Sequence, residues 1–309
     1  GTGKTLTSLW IKEKIKAEKV LVLVPSLSLL SQTLKEWNSE VNEPFKWICV
    51  CSDKSVAKDK SEDEWISNTS EIGVPVTSEP LEIKNFLDES GSKVIFSTYQ
   101  SAPLIVESQE HHDKSKFDLV IADEAHRCVG RISNSFGIIL DDQKIKTRKK
   151  LFFTATPKLL SKHIKRMAGE HEINVASMDD KEIFGEVLYK LNFSDALNND
   201  PPLLTDYQVV VIGIDDPQIL KIITNRKLLT TDGQNVFDSE SLASKIALIK
   251  SLKNYDLKRV ITFHGRVKGA SDFAKGLRKI SEIVPDQDKP MGQIFCEYVE
   301  GKMKTSERN

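Results

Sequence analysis

The chain has 309 residues, of which 39% are apolar and 29% charged, and its formal net charge is −1. That balance fits an ordinary soluble globular composition, and at roughly 100–200 residues per domain the length predicts about two domains. It carries no global basic excess of the kind that marks a wholly cationic nucleic-acid binder, and no apolar run approaches the roughly 20 residues that cross a bilayer.

In chain order, the first residues are Gly1-Thr2-Gly3-Lys4-Thr5, the closing half of the phosphate loop G-x-x-x-x-G-K-[S/T]. Leu6, Leu9, Trp10 and Ile15 follow at near-helical spacing, so a helix is expected directly behind the loop. Lys19–Pro25 is a continuous apolar run ended by Pro, which suits a strand buried on both faces of a parallel sheet. Leu29, Leu30, Thr33, Leu34 and Trp37 mark a second helix. Further strands are expected at Trp47–Cys51, Val94–Ser97, Leu119–Ala122 and Leu151–Thr154, and residues 52–70 are read as a charged, mobile excursion.

The turn residues Asn198-Asn199-Asp200-Pro201-Pro202 form a linker candidate. Beyond it a second α/β pattern is expected: strand Tyr207–Ile214, helix Leu242–Leu252, strand Arg259–Phe263 and helix Ala270–Leu277. Strands alternating with helices predict an α/β fold with parallel sheets.

Four cysteines without C-x-x-C spacing point to buried thiols, with Cys49 and Cys51 on one face of a strand. His111-His112-Asp113 reads as a solvated loop tip. The run Lys144, Lys146, Arg148, Lys149 and Lys150 reads as a solvated face, with a basic patch as the rival interpretation.

Two elements carry chemistry. In a working phosphate loop, Gly1, Thr2 and Gly3 let backbone N–H groups approach an anion at a helix start. Lys4 reaches the β- and γ-phosphates of ATP, and the Thr5 hydroxyl holds Mg²⁺. The alternative is a glycine turn capped by Thr. The second element, Phe117-Asp-Leu-Val-Ile-Ala-Asp123-Glu124-Ala125-His126, is an apolar strand that delivers two carboxylates at its C-terminal end. Open α/β sheets place ligand chemistry there. Asp123 can hold Mg²⁺ through water while Glu124 orients and deprotonates the attacking water.

Asp123-Glu124-Ala125-His126 resembles the DEAH box of superfamily 2 helicases and translocases, and other stretches fall in that family's order. Val24-Pro25-Ser26-Leu27 resembles motif Ia, Ser97-Thr98-Tyr99-Gln100-Ser101 the motif Ib region, and Thr154-Ala155-Thr156-Pro157 motif III. Val260-Ile-Thr-Phe-His264-Gly265-Arg266 resembles motif IV. Ser177–Gly185, Leu203–Tyr207 and Val299–Arg308 are similar to the restriction and phage-defence branch, in particular the motor of type ISP restriction-modification enzymes.

The resemblance implies two tandem RecA-like P-loop NTPase domains, residues 1–199 and 200–309, the second ending before motifs V and VI. It implies an ATP-dependent nucleic-acid helicase or translocase, with DNA favoured over RNA, acting in the cytoplasm. A duplex-translocating motor of a restriction system and an ATP-gated binding module stand as alternatives. By resemblance His126, Thr154 and Thr156 couple ATP state to grip. Ser26, Thr98, Gln100, His264, Gly265 and Arg266 contact backbone phosphates. The missing opening of the phosphate loop leads to the expectation of a piece of a longer chain, nearly inactive alone, with any nuclease or methyltransferase outside it.

Overall fold

The computed structural model describes residues 2–51, 76–110, 116–132, 134–212 and 239–300. Gly1, the 52–70 excursion, the His111-His112-Asp113 stretch and most of Val299–Arg308 therefore lie outside the described residues. The chain divides into two compact units, residues 1–205 and 206–309.

Helix α1 (Lys4–Lys14) opens the first unit and leads into strand β1 (Lys19–Val24). Helix α2 (Leu27–Glu40), strand β2 (Lys46–Val50) and strand β3 (Val76–Thr77) follow. Helix α3 (Pro80–Asp88), strand β4 (Lys93–Thr98), helix α4 (Ala102–Glu110) and strand β5 (Leu119–Ala122) come next. A short strand β6 (Gly130–Arg131) precedes β7 (Lys150–Phe152). Five of these strands fall on the apolar runs predicted from sequence, within a residue or two.

The central sheet runs β3-β2-β4-β1-β5-β7, and every pairing in it is parallel. Side chains alternate across a strand, so a sheet covered on both faces needs apolar residues at every position. Strand β1 shows why. Leu21 and Leu23 point into a cluster with Ile83, Phe86 and Leu87 of α3 and Ile105 of α4. Val20, Val22 and Val24 point the other way, into a cluster with Leu9 of α1 and Leu30, Leu34 and Trp37 of α2. Cys49 and Cys51 share that second cluster and are buried, as the i, i+2 spacing predicted. Burial, with Cys51 alongside, pushes the Cys49 thiol up to about 12.

One helix turns a different face inward than its apolar pattern implies. Ser8, Leu9 and Lys12 are buried on α1, while Trp10 is 52% exposed. The Lys12 ammonium lies 5.1 Å from the Phe45 ring centroid, which gives a buried cation an aromatic face to rest on.

After β7 the chain forms helix α5 (Lys162–Glu170) and strand β8 (Val175–Ala176), which pairs antiparallel with β6. Short helices α6 (Lys181–Phe184) and α7 (Phe193–Asn198) follow.

In the second unit, helices α8 (Ser239–Asn254) and α9 (Val267–Ile283) pack against each other. Leu242, Ile246 and Ile249 pack on Leu277, Ile280 and Val284. Both helices cover the predicted helical stretches. The predicted strands do not form there among the described residues. Residues 207–212 and Arg259–Phe263 make no ladder, and Ile261 and Phe263 are 81% and 92% exposed. A β-prone apolar run becomes a strand only when a neighbouring edge supplies its ladder bonds, and no such edge lies beside these runs among the described residues.

Candidate functional site

Parallel packing brings the carboxyl ends of β4, β1 and β5 to one edge of the first unit. Val24 lies in register with Thr98, and Leu23 with both Ser97 and Ala122. The chain segments that leave these strands carry Ser26, Thr98 to Ser101 and Asp123-Glu124, so three of the sequence motifs emerge side by side.

Gly3 is the N-cap residue of helix α1, and its φ of +83° is the left-handed region that glycine enters without steric cost. The first backbone N–H groups of such a helix have no intrahelical acceptor and favour an anion. Lys4 follows immediately, and its Nζ lies 3.5 Å from Glu124 Oε1. The start of α1 and the end of β5 thus converge although 120 positions separate their charged residues.

The turn that presents the carboxylates is held from several sides. The Asp123 N–H donates to the Leu23 carbonyl at 2.9 Å, continuing the β1–β5 ladder. The Ala125 N–H donates to the Phe153 carbonyl at 2.9 Å. Between them Glu124 sits at φ +48°, a conformation costing a non-glycine residue roughly 1–2 kcal/mol. Its N–H donates to Asp123 Oδ1 at 2.9 Å, which locks one carboxylate against the backbone of the next. Burial pushes the Asp123 carboxyl above the usual carboxylate range, and the adjacent Glu124 charge adds to it. The Glu124 N–H, Lys4 and His126 act in the opposite direction.

From Glu124 the polar contacts pass outward. His126 Nδ1 lies 3.3 Å from Glu124 Oε2 and 3.0 Å from Thr154 Oγ1. The Thr156 N–H donates to Thr154 Oγ1 at 3.1 Å. With that lone pair occupied, the Thr154 hydroxyl proton can go to Nδ1 when the ring nitrogen is bare. When Nδ1 is protonated, its proton can go to Glu124 instead. Five residues picked out from sequence (Lys4, Glu124, His126, Thr154 and Thr156) therefore form one connected path.

Thr5 lies on the first turn of α1 and its carbonyl accepts from Ser8 Oγ at 2.6 Å and from Trp37 Nε1 at 3.0 Å. Ser8 was not singled out in the sequence and Trp37 only as a helix marker, because periodicity marks which residues are buried and not which polar atom a buried ring carries. Thr2 is exposed at the head of the helix. The available donors, the Thr5 hydroxyl and the Asp123 carboxylate, are hard oxygens of the type Mg²⁺ takes in small number while retaining water and substrate phosphates. Among the described residues no group of three or more His, Cys, Asp or Glu is placed to hold a metal ion.

The residues assigned to nucleic acid are placed differently. Ser26 Oγ accepts the Leu29 N–H at 3.3 Å and so caps α2. Thr98 is buried with its hydroxyl 3.0 Å from that of Ser101, and Gln100 is half-buried beside it. His264, Gly265 and Arg266 belong to the second unit. His264 Nε2 lies 3.0 Å from Thr262 Oγ1, its ring packs on Phe273, and Arg266 precedes α9 as its N-cap residue. In the basic run, Lys144, Arg148 and Lys150 pair with Asp141, Asp118 and Asp142, and the Lys150 side chain is only 14% exposed. One residue of the motif Ib stretch was given no role in the sequence reading. Tyr99 is fully buried and its hydroxyl donates to the Asp123 carbonyl at 2.7 Å.

Among curated proteins the chain is similar to a probable helicase of African swine fever virus. The pig isolate from Kenya is 27% identical over 229 residues, which is 74% of this chain and 22% of the viral protein. The Pretoriuskop tick isolate is 30% identical over 212 residues, 68% of this chain and 21% of the viral protein. The chain thus spans about a fifth of the length of these relatives. Among solved structures it is similar to the ATP-dependent Type ISP restriction-modification enzyme LlaBIII bound to DNA, with a TM-score of 0.74 and 26% identity. That likeness covers 100% of this chain and 21% of that one. A nuclease-deletion mutant of the Type ISP enzyme LlaGI, in complex with a DNA substrate mimic, gives a TM-score of 0.50 and 33% identity, covering 67% of this chain and 16% of that one. Residues 1–159, which hold the whole path from the phosphate loop to motif III, match the ResIII family, Type III restriction enzyme, res subunit, and the chain belongs to that family.

Proposed function

We propose that this chain is the motor portion of an ATP-dependent DNA translocase or helicase, hydrolysing ATP to drive movement along nucleic acid. The observation that carries the reading is the convergence of Lys4, Glu124, His126 and Thr154 within hydrogen-bonding reach. Residues 1–199 form the ATP-binding RecA-like domain in this reading, and 200–309 belong to a second one.

ATP binds with its phosphates over Gly1, Thr2, Gly3, Lys4 and Thr5. Lys4 offsets the negative charge of the β- and γ-phosphates, and the backbone N–H groups at the start of α1 hold their oxygens. Thr5 and, through water, Asp123 would hold Mg²⁺, which when bound would neutralise charge on the phosphate oxygens. Glu124 orients the attacking water and takes its proton as oxygen bonds to the γ-phosphorus and the bond to ADP breaks. His126 and Thr154 touch that carboxylate side chain directly or through one contact, so a change at Glu124 reaches motif III. Ser26, Thr98, Gln100, His264, Gly265 and Arg266 hold a strand by backbone phosphate contacts, which position it without reading its sequence.

Glu124→Gln in the full-length protein is expected to retain ATP binding while losing at least about 100-fold in nucleic-acid-stimulated turnover. Unchanged turnover would sink the assignment.

A narrower reading is favoured by the likeness to Type ISP restriction-modification enzymes. In it the motor tracks duplex DNA without separating strands, alongside a nuclease or methyltransferase, in the cytoplasm where both substrates are present. A third strand displaced from a triplex, with a forked duplex left intact, supports that narrower reading. Opening of the fork supports a helicase, and nucleotide-dependent binding without directional movement supports a clamp.

A further inference from the structure

Resting on that reading, we propose that Tyr99 is a positioning residue that carries the state of the motif Ib turn to the hydrolytic carboxylates. Strand β4 ends at Thr98, and the chain then makes a single 3₁₀ turn, Tyr99–Ser101, that runs straight into α4. On this turn Thr98 and Gln100 belong to the strand-binding set, whereas the side chain between them goes to the ATP site. Tyr99 is fully buried, and its hydroxyl donates to the Asp123 carbonyl at 2.7 Å.

That carbonyl belongs to the peptide joining the two carboxylate residues. The N–H of the same peptide holds Asp123 Oδ1, and the Cα that follows carries Glu124 at φ +48°. One hydrogen bond therefore fixes the plane of a peptide on which both side chains hang. Without it a strained left-handed turn loses one of the restraints on the orientation of that peptide.

The lever is stiff. The Tyr99 ring stacks on Phe136 at 5.0 Å with an interplanar angle of 29°, and the Cys128 thiol lies against its hydroxyl. Burial pushes that thiol up to about 12, so it remains a neutral neighbour at working pH. The Thr98–Ser101 hydroxyl pair closes the turn behind Tyr99. A shift of the turn under a bound strand cannot be absorbed by rotation of the ring, so it moves the Asp123–Glu124 peptide. This route is separate from the His126–Thr154 path, which joins Glu124 to motif III on the opposite flank.

The test uses full-length protein and the conservative variant Tyr99→Phe, which keeps the ring and its stacking and deletes only the hydroxyl. ATP turnover is measured with and without a duplex DNA of fixed length, together with the KM for ATP, the DNA concentration of half-maximal stimulation and Tm. The expected result is a fall of about five- to tenfold in DNA-stimulated kcat, with both half-saturation values within about twofold of wild type. The ratio of stimulated to basal turnover falls with it. Ile105→Val, a trimming of the same core on α4, lowers Tm and leaves that ratio at the wild-type value.

A Tyr99→Phe ratio equal to wild type overturns the lever alone. So does an Ile105→Val protein whose ratio falls as far, since loss of packing would then explain both. A wild-type protein that DNA fails to stimulate overturns the function reading, and the lever falls with it.

Discussion

At the scale of single residues, the site holds a conflict that sequence alone could not reveal. Asp123 is a carboxylate whose charged form is disfavoured by burial and by Glu124, yet an ionised oxygen there suits cation binding. A carboxyl pKa raised in the folded state means that folding is favoured by protonation, so the penalty is present near neutral pH and fades as pH falls through the raised value. Asp123→Asn is therefore expected to equal or exceed wild type in Tm at pH 7. Its advantage should shrink as the pH is lowered, while ATP turnover is lost. A variant less stable than wild type at pH 7, with the gap unchanged at pH 5, would contradict this. Thermal melts across that range decide it.

At the scale of elements, one side chain is asked to do two jobs. Ser26 caps α2 and also falls on the motif Ia stretch assigned to phosphate contact. Loss of the cap in Ser26→Ala should cost about 1 kcal/mol, a drop of roughly 2–4 °C in Tm for a unit of this size. Ser26→Asp keeps a capping oxygen and should hold the Tm, but its charge should weaken nucleic-acid binding severalfold and steepen the loss with rising salt. Normal binding by the Asp variant would leave Ser26 with the cap alone. The element scale is also where sequence reading was strongest. Lys19–Val24 was legible as a doubly buried strand because every position after Lys19 is apolar, and a run with no polar face has few other places to go. Arg259–Phe263 has similar composition and forms no ladder among the described residues. Composition reports that a segment favours the extended state, whereas pairing is decided by what lies beside it, which no local pattern encodes.

At the scale of the whole chain, the candidate ATP site was legible because its parts have distinctive chemistry: a glycine-lysine-threonine helix start, paired carboxylates at a strand end and a Thr-Ala-Thr turn. Their order along the chain predicted their meeting, and the 3.5 Å Lys4–Glu124 contact is that meeting. What escaped was the support behind it. Tyr99 lay inside a stretch singled out for Thr98 and Gln100, and its role depends on a hydroxyl reaching the backbone 24 positions away. Such contacts arise from the parallel register of β4, β1 and β5, so they become visible only when the sheet is assembled.

The Trp37 contact gives the molecule an optical property. Its indole is fully buried, meets Phe45 and Phe96 edge-on and donates its N–H to the Thr5 carbonyl on the first turn of α1. An indole's emission follows the polarity and hydrogen bonding at that nitrogen, so the proposed phosphate loop is wired to a fluorophore the chain already owns. Titrating ATP into the protein should shift emission assigned to Trp37 by comparison with a Trp37→Phe variant, and a Lys4→Ala protein should show no such shift. Equal responses in the wild-type and Trp37→Phe proteins would show that the ring is deaf to the loop it touches.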